Sequence, residues 1–355
     1  MATDQCYLTV SLPALVENWR MLAGLCPGAC GATVKANAYG LGIERAAPAL
    51  AQAGCETFFV ATLDEALTLR SLLPEHDVFV FSGVRADDIQ TFLSASLVPV
   101  LNSAAEVQLW ADHGQGKMSA LHIDTGMSRL GCNRHDSAAL AGDMALLERA
   151  GTAYVMTHLA CADEPDHPTN IAQAKALKEI TAAFAPLKTS FGNSGGVLNG
   201  PSFCGDLARP GIGLYGGNPR PTMPAPLRPV VEWSAPILQC RTIEVGTPIG
   251  YGSRFIADRK MTVATIGAGY ADGLPRISAD HASVFINETR CKLLGRISMD
   301  SCVADITHLG VVPPSTPAQL LGHISLGELA QWAGTIDYEI LTGIAARVER
   351  RYIAL

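Results

Sequence analysis

Residues 31–42 read G-A-T-V-K-A-N-A-Y-G-L-G. The short apolar run Ala32, Thr33, Val34 has the character of a buried strand and ends on Lys35. A small-residue loop, Ala36 to Gly42, follows at once. A lysine at the C-terminal lip of a buried strand is costly unless its amine is used. Burial lowers a lysine's pKa, and a neutral amine can form a Schiff base or act as a base. Tyr39 lies four residues on, within reach of the same pocket mouth. Taken alone, Lys35 reads more simply as a lysine snorkelling out of a strand end. The chain around it reverses that preference.

Outward from Lys35, short apolar runs alternate with helical patterns. A strand at Tyr7–Val10 precedes a helix that Pro13 opens, Ala14 to Leu25. The strands expected next are Ala32–Val34, Thr57–Ala61, Val78–Phe81, Val98–Leu101, Leu121–Asp124, Tyr154–His158, Thr189–Gly192 and Leu207–Arg209. Amphipathic stretches lie between them: Ile43–Gln52, Asp64–Leu73, Ala86–Leu93, Ala105–Asp112, Ser137–Ala150 and Asn170–Ala185. Eight strands alternating with helices at a spacing of roughly 20–35 residues predict an α/β fold, a (β/α)8 TIM-type barrel over residues 12–218. A doubly wound open sheet is the runner-up, and it lacks a G-x-G-x-x-G after its first strand.

The stretch P-R-P-T-M-P-A-P-L-R-P, residues 219–229, cannot be a helix or a central strand and reads as an extended linker. Beyond it, Val230–Val245, Met261–Ile266, Ala282–Ile286, Cys291–Leu294 and Cys302–Ile306 are β-rich and punctuated by Gly, Pro and Asn. They predict a mostly β domain over residues 226–355, to which residues 1–11 could add a strand.

At 355 residues the chain has room for two domains, and its 17% charged residues favour a large core and an obligate interface. A net charge of −7 without a basic run argues against nucleic acid. Met1 to Thr9 has neither a basic nor an apolar export region, and no stretch approaches 18 uninterrupted apolar residues. The ten cysteines are scattered. Cys26 and Cys30, the closest pair, have no second Cys or His pair beside them to complete a zinc site, so no metal is expected. Unpaired thiols without an export signal predict a reducing, cytoplasmic setting and no membrane partner.

In such a barrel the chemistry sits at the C-terminal strand ends. Those ends carry Lys35, Asp124-Thr-Gly-Met-Ser-Arg129, His158, Asn193-Ser194-Gly-Gly and Arg209-Pro-Gly211-Ile212-Gly. A lone strand histidine is more often a core residue, and a lone arginine more often a surface ion pair. Their joint occurrence at one geometric place changes the odds. The glycine-rich loops after the last two strands suit a phosphate, which backbone N–H groups and a hydroxyl would hold. A phosphate anchor and a strand-end lysine in one barrel suggest pyridoxal 5′-phosphate.

The series V-K-A-N-A-Y-G-L-G, H-I-D-T-G-M-S-R-L-G, T-H-L-A-C-A-D-E-P, N-S-G-G, A-R-P-G-I-G-L-Y-G, G-Y-A-D-G-L-P-R and G-R-I-S-M-D resembles, in order and over nearly the whole chain, the motifs of the alanine racemases. The resemblance implies a cofactor-binding barrel, a β domain, and a head-to-tail homodimer whose active sites are each completed by the partner. It implies that Lys35 bonds the cofactor aldehyde and is the base on one face of the substrate. Tyr270, supplied by the other subunit, is then the base on the opposite face. Arg209 would hold the pyridine nitrogen and His158 would link Arg209 to Tyr270. Arg129 would bind the phenolic oxygen and the substrate carboxylate, with the Met299 N–H on that carboxylate too. Tyr39, Ser194, Gly211 and Ile212 would cradle the phosphate, and Asp300 and Arg296 would shape the entrance. The activity implied is interconversion of L- and D-alanine, supplying D-alanine for peptidoglycan.

Two departures stand out. Many members have a carbamylated lysine two residues before the aspartate of D-T-G-M, pairing with the arginine. Here that position is His122, so Arg129 needs another orienting group, for which a bound anion is one candidate. Members commonly have a tyrosine before the last motif's arginine, whereas this chain has Ala346 before Arg347. Losing that ring opens space beside the substrate side chain and predicts measurable activity on serine. A serine or broader racemase on the same scaffold therefore stands as the alternative. Against decarboxylases of related architecture, their Cys-based C-terminal motif is not evident here and G-Y-A-D-G is present, and cofactor carriers resemble the barrel alone. A barrel without cofactor would leave Lys35, Arg129, His158 and Arg209 as a coincidence.

Overall fold

The computed structural model describes residues 5–276 and 281–355. The first four residues, which begin the stretch read for an export signal, lie outside the described residues. Seven parallel strands lie side by side in chain order: Ala32–Thr33, Thr57–Val60, Asp77–Val80, Val98–Leu101, Ser119–His122, Thr152–Met156 and Lys188–Ser190. The eighth, Leu207–Ala208, pairs in parallel with Ala29–Cys30, just before the first. The Gly31 N–H donates to Ala208 O at 2.9 Å and the Arg209 N–H to Gly192 O at 2.7 Å, so the eighth strand bonds on both sides. The cylinder is closed, and the barrel expectation holds.

The strand sequences explain the closure. Phe59, Phe79, Val98, Val100, Ala120, Met156 and Leu207 form one apolar cluster. Their alternates Phe58, Val60, Val78, Val80, Leu101 and Leu121 belong to another, shared with the surrounding helices. With a side-chain period of two, one set fills the barrel and the other packs outward. Both faces are covered, so these strands read as continuous apolar runs.

The second sheet is antiparallel apart from one pair. Its eight strands run in the order Met261–Ile266, Cys302–Asp305, Thr289–Leu294, Ser283–Ile286, Pro317–Leu321, Val231–Ile243, Tyr7–Ser11 and Glu349–Ile353. The 13-residue strand Val231–Ile243 shifts register between Ile237 and Gln239 and also pairs with Met261–Ile266. Six of the strands thereby curl into a second closed unit. Tyr7–Ser11 lies antiparallel to Val231–Ile243 and parallel to Glu349–Ile353, so this strand belongs to the second sheet and precedes the barrel in the chain.

Some expected elements differ. Ser137–Ala150, read as one helix, is two, Arg134–Ala141 and Met144–Arg149, because Gly142 caps the first and the Asp143 side chain caps the second. Ala86–Leu93 begins as a 3-10 turn before the helix Ile89–Ser94. The strands at residues 121–124 and 154–158 stop at His122 and Met156, leaving Asp124 and His158 just beyond their ends. The strands Pro317–Leu321 and Glu349–Ile353 and the helices Leu326–Ala333 and Asp337–Gly343 have no counterpart among the elements expected from sequence. No helix among the described residues is long and apolar enough to cross a membrane.

Candidate active site

Lys35 does not open a loop. Ala36, Asn37, Ala38 and Tyr39 all have φ of 52–54°, a turn of left-handed helix. L-residues lose about 1–2 kcal/mol each in this conformation. The turn is held from both sides. Ala38 N–H donates to Val34 O and Gly40 N–H to Ala36 O. The Glu65 carboxylate accepts from Ala36 N–H at 2.7 Å and from Ala61 N–H at 2.8 Å. Glu65 is the third residue of its helix, in a capping box with Thr62. The T-x-x-E pattern at residues 62–65 marks that box in the sequence, but only the fold brings its carboxylate to the Lys35 turn. The turn directs Tyr39 inward, where it is buried and stacks on Tyr215 at 4.6 Å.

Burial, and then the facing charge of Arg129, lower the pKa of the Lys35 amine. The buried Arg209 gives N–H bonds to Ser190 Oγ at 2.7 Å and Thr157 O at 2.7 Å, and lies 3.5 Å from Phe191 O. Burial opposes its charge and these oxygens offset that. Its Nε is buried without a hydrogen-bond partner. An unmatched buried donor costs about 1–3 kcal/mol, so this N–H suits a ring-nitrogen acceptor. His158 Nδ1 lies 3.5 Å from Arg209 Nη2. Burial, then Arg209, Arg129 and Lys35, hold its imidazole well below the ordinary value, so the ring is neutral.

Opposite lies a cradle. Ser194 Oγ accepts from the Gly211 N–H at 2.8 Å and the Gly213 N–H at 3.1 Å, which leaves its own hydrogen to donate. A Cβ at Gly211 would run into the Tyr39 hydroxyl, so only glycine lets that hydroxyl close over the loop. Tyr39, Ser194, Gly211 and Ile212 therefore stand together. With Lys35 and the orphaned Arg209 Nε in the same mouth, these residues fit pyridoxal phosphate.

Arg129 is exposed, on a loop shaped by Asp124. The Asp124 carboxylate accepts from the N–H groups of Gly126, Met127 and Ser128; burial opposes its charge, yet these bonds bring its pKa down overall. His122 Nδ1 lies 2.8 Å from Asn102 Oδ1, while the Asn102 amide donates to Phe81 O at 3.0 Å and Val100 O at 2.9 Å. The Asn102 oxygen must therefore face the ring, and Nδ1 must carry the proton. Burial, then Arg209 and Arg129, push the His122 pKa down to about 4. Sequence reasoning missed Asn102 because only strand pairing puts it beside His122.

Tyr270 and Met299 lie on the C-terminal domain and are 43% and 53% exposed. Asp300, expected at an entrance, has its carboxylate engaged by Arg347 at 2.7 Å. No group of three or more potential metal ligands occurs among the described residues.

The family models for the alanine racemase N-terminal and C-terminal domains match residues 10–219 and 230–352. The chain belongs to the alanine racemase family. A catabolic alanine racemase of Agrobacterium fabrum is 41% identical to it over 98% of this chain and 92% of its own length. An alanine racemase of Acidiphilium cryptum is 44% identical over 97% of both. The crystal structure of the Bartonella henselae alanine racemase, which carries covalently bound pyridoxal phosphate, superposes with a TM-score of 0.94 at 38% identity, over 99% of this chain and all of that one.

Proposed function

We propose that the chain is a pyridoxal phosphate-dependent alanine racemase that interconverts L- and D-alanine with one base on each face of the substrate. The observation that carries this reading is the half-buried Lys35 amine in one mouth with the partnerless Arg209 Nε and the Ser194–Gly211 cradle. When bound there, the cofactor supplies an electron-withdrawing ring that takes up charge from the substrate α-carbon. Lys35 holds the aldehyde and moves the proton on one face; its lowered pKa keeps an amine available as a base. Tyr270 serves the other face. Arg209 donates through Nε and does not give up its proton, which keeps the ring nitrogen unprotonated and limits side reactions. Neutral His158 links Arg209 towards Tyr270. Arg129 and the Met299 N–H hold the substrate carboxylate, and Tyr39, Ser194, Gly211 and Ile212 hold the phosphate.

In this reading the enzyme is a head-to-tail homodimer, and Tyr270 and Met299 act in the partner's site. Their exposure supports this, as does a groove of about 950 Å³ lined by His158, Asn193, Asp337 and Tyr338 at the barrel mouth. We place the enzyme in the cytoplasm, where its ten free cysteines stay reduced, with D-alanine for peptidoglycan as its product.

The test is chiral chromatography of purified protein with added pyridoxal phosphate and equimolar L-alanine and L-serine. Predominant D-alanine, abolished by Lys35→Ala, is expected. No D-isomer with cofactor bound would reject the reading. The exposed Ala346 favours a second reading, a serine or broader racemase, which comparable or greater D-serine would establish.

A further inference from the structure

Arg347 stands where two loops of the C-terminal domain meet. Its Nε donates to Asp272 Oδ1 at 2.7 Å and its Nη2 to Asp300 Oδ1 at 2.7 Å. Asp272 closes the 3-10 turn Tyr270–Asp272, its Oδ2 accepting from the Gly269 N–H at 2.8 Å. Asp300 belongs to the loop of residues 298–301, where Ser298 N–H donates to Ser301 O at 2.9 Å. The loops also bond directly, Tyr270 N–H to Ser298 O at 3.1 Å and Ala271 N–H to Met299 O at 2.9 Å. A Cβ at Gly269 would run into the carbonyls of Ser298 and Met299, so the approach is close. Ala345 N–H donates to Asp272 O at 3.0 Å.

We infer that Arg347 is a positioning residue: its guanidinium clasps Asp272 and Asp300 and so holds Tyr270 and Met299 in one fixed register. This rests on the reading above, in which both residues serve the partner's site. The arrangement needs arginine. A planar fork satisfies two carboxylates at once, whereas an ammonium on a flexible stem does not reproduce that geometry. The role is geometric: the guanidinium fixes where the two loops sit relative to one another. The arm to Asp300 joins side chains that are 47% and 66% exposed and adds little to stability, whereas the arm to Asp272 reaches a carboxylate only 7% exposed. A base misplaced by about 1 Å loses about a hundredfold in rate.

The first test uses amide hydrogen exchange of the full chain without cofactor. Arg347→Gln is expected to speed exchange about tenfold or more at Gly269–Ala271 and Ser298 together, with the barrel strands unchanged. Unchanged exchange at both loops, or equal acceleration throughout, overturns the clasp. The second test uses holoenzyme hybrids made by co-expression. Arg347→Gln alone is expected to lower kcat/KM about a hundredfold and Arg347→Lys less. A hybrid of Lys35→Ala with Arg347→Gln chains joins an intact barrel to an intact clasp and recovers one working site. Placing both substitutions in one chain and pairing it with wild type leaves no fully working site. Equal activity of the two arrangements rejects the clasp where a Lys35→Ala with Tyr270→Ala hybrid is active. If that control hybrid is dead, the shared-site reading fails instead, and the exchange experiment still decides the clasp.

Discussion

Arg209 Nη2 lies 3.5 Å from His158 Nδ1, and the imidazole is neutral. A permanent cation thus stands beside a ring that burial keeps uncharged, with Arg209 Nε left for an acceptor. Replacing Arg209 with Glu would put a proton-sharing group there. Racemase kcat/KM should fall at least about a hundredfold, roughly 3 kcal/mol, while pyruvate formation by transamination rises. A coupled pyruvate assay on L-alanine checks this; unchanged pyruvate would count against the role given to Arg209.

Ser194 Oγ accepts from two buried N–H groups, so Ser194→Ala leaves both without that partner. The expected cost is about 1–3 kcal/mol in urea unfolding of the cofactor-free protein. Titration with pyridoxal phosphate should also show weaker binding.

Ala346 is exposed at the position where a pocket-lining ring is common in the family. Serine efficiency should stay above about a thousandth of that for alanine, less than roughly 4 kcal/mol of discrimination. Ala346→Tyr should lower serine relative to alanine by about tenfold. Initial rates with both amino acids decide it, and a wild-type ratio under a thousandth rejects the prediction.

His122 and His158 both have pKa values below the ordinary 6.5 in the folded chain, His122 down to about 4. Below about pH 6.5 the unfolded chain takes up protons that the folded chain refuses. Their contribution is complete above that pH and declines as pH falls, for His122 through about pH 4. Stability should fall across that window, and His122→Gln should flatten the slope. Urea midpoints between pH 4 and 7.5 measure it; a variant slope as steep as wild type would exclude His122.

The composition of the strands determined the barrel. Continuous apolar runs bury on both faces, and the helices between them leave parallel pairing as the outcome. Their C-terminal ends carry Lys35, His158, Ser194 and Arg209, and a barrel puts every such end on one rim. The second domain was less legible, since Glu349–Ile353 (E-R-R-Y-I) has no apolar alternation and is ordered by its neighbour Tyr7–Ser11. The left-handed turn at residues 36–39 was hidden for a related reason. Alanine and tyrosine do not choose positive φ, and the Glu65 carboxylate that helps to hold them there lies 29 residues from Ala36. Asn102 beside His122, and Arg347 between Asp272 and Asp300, likewise join residues distant in the chain. Period and composition act over a few residues and decide which elements form. Orienting a side chain takes hydrogen bonds from other elements, and these exist only once the chain has closed on itself.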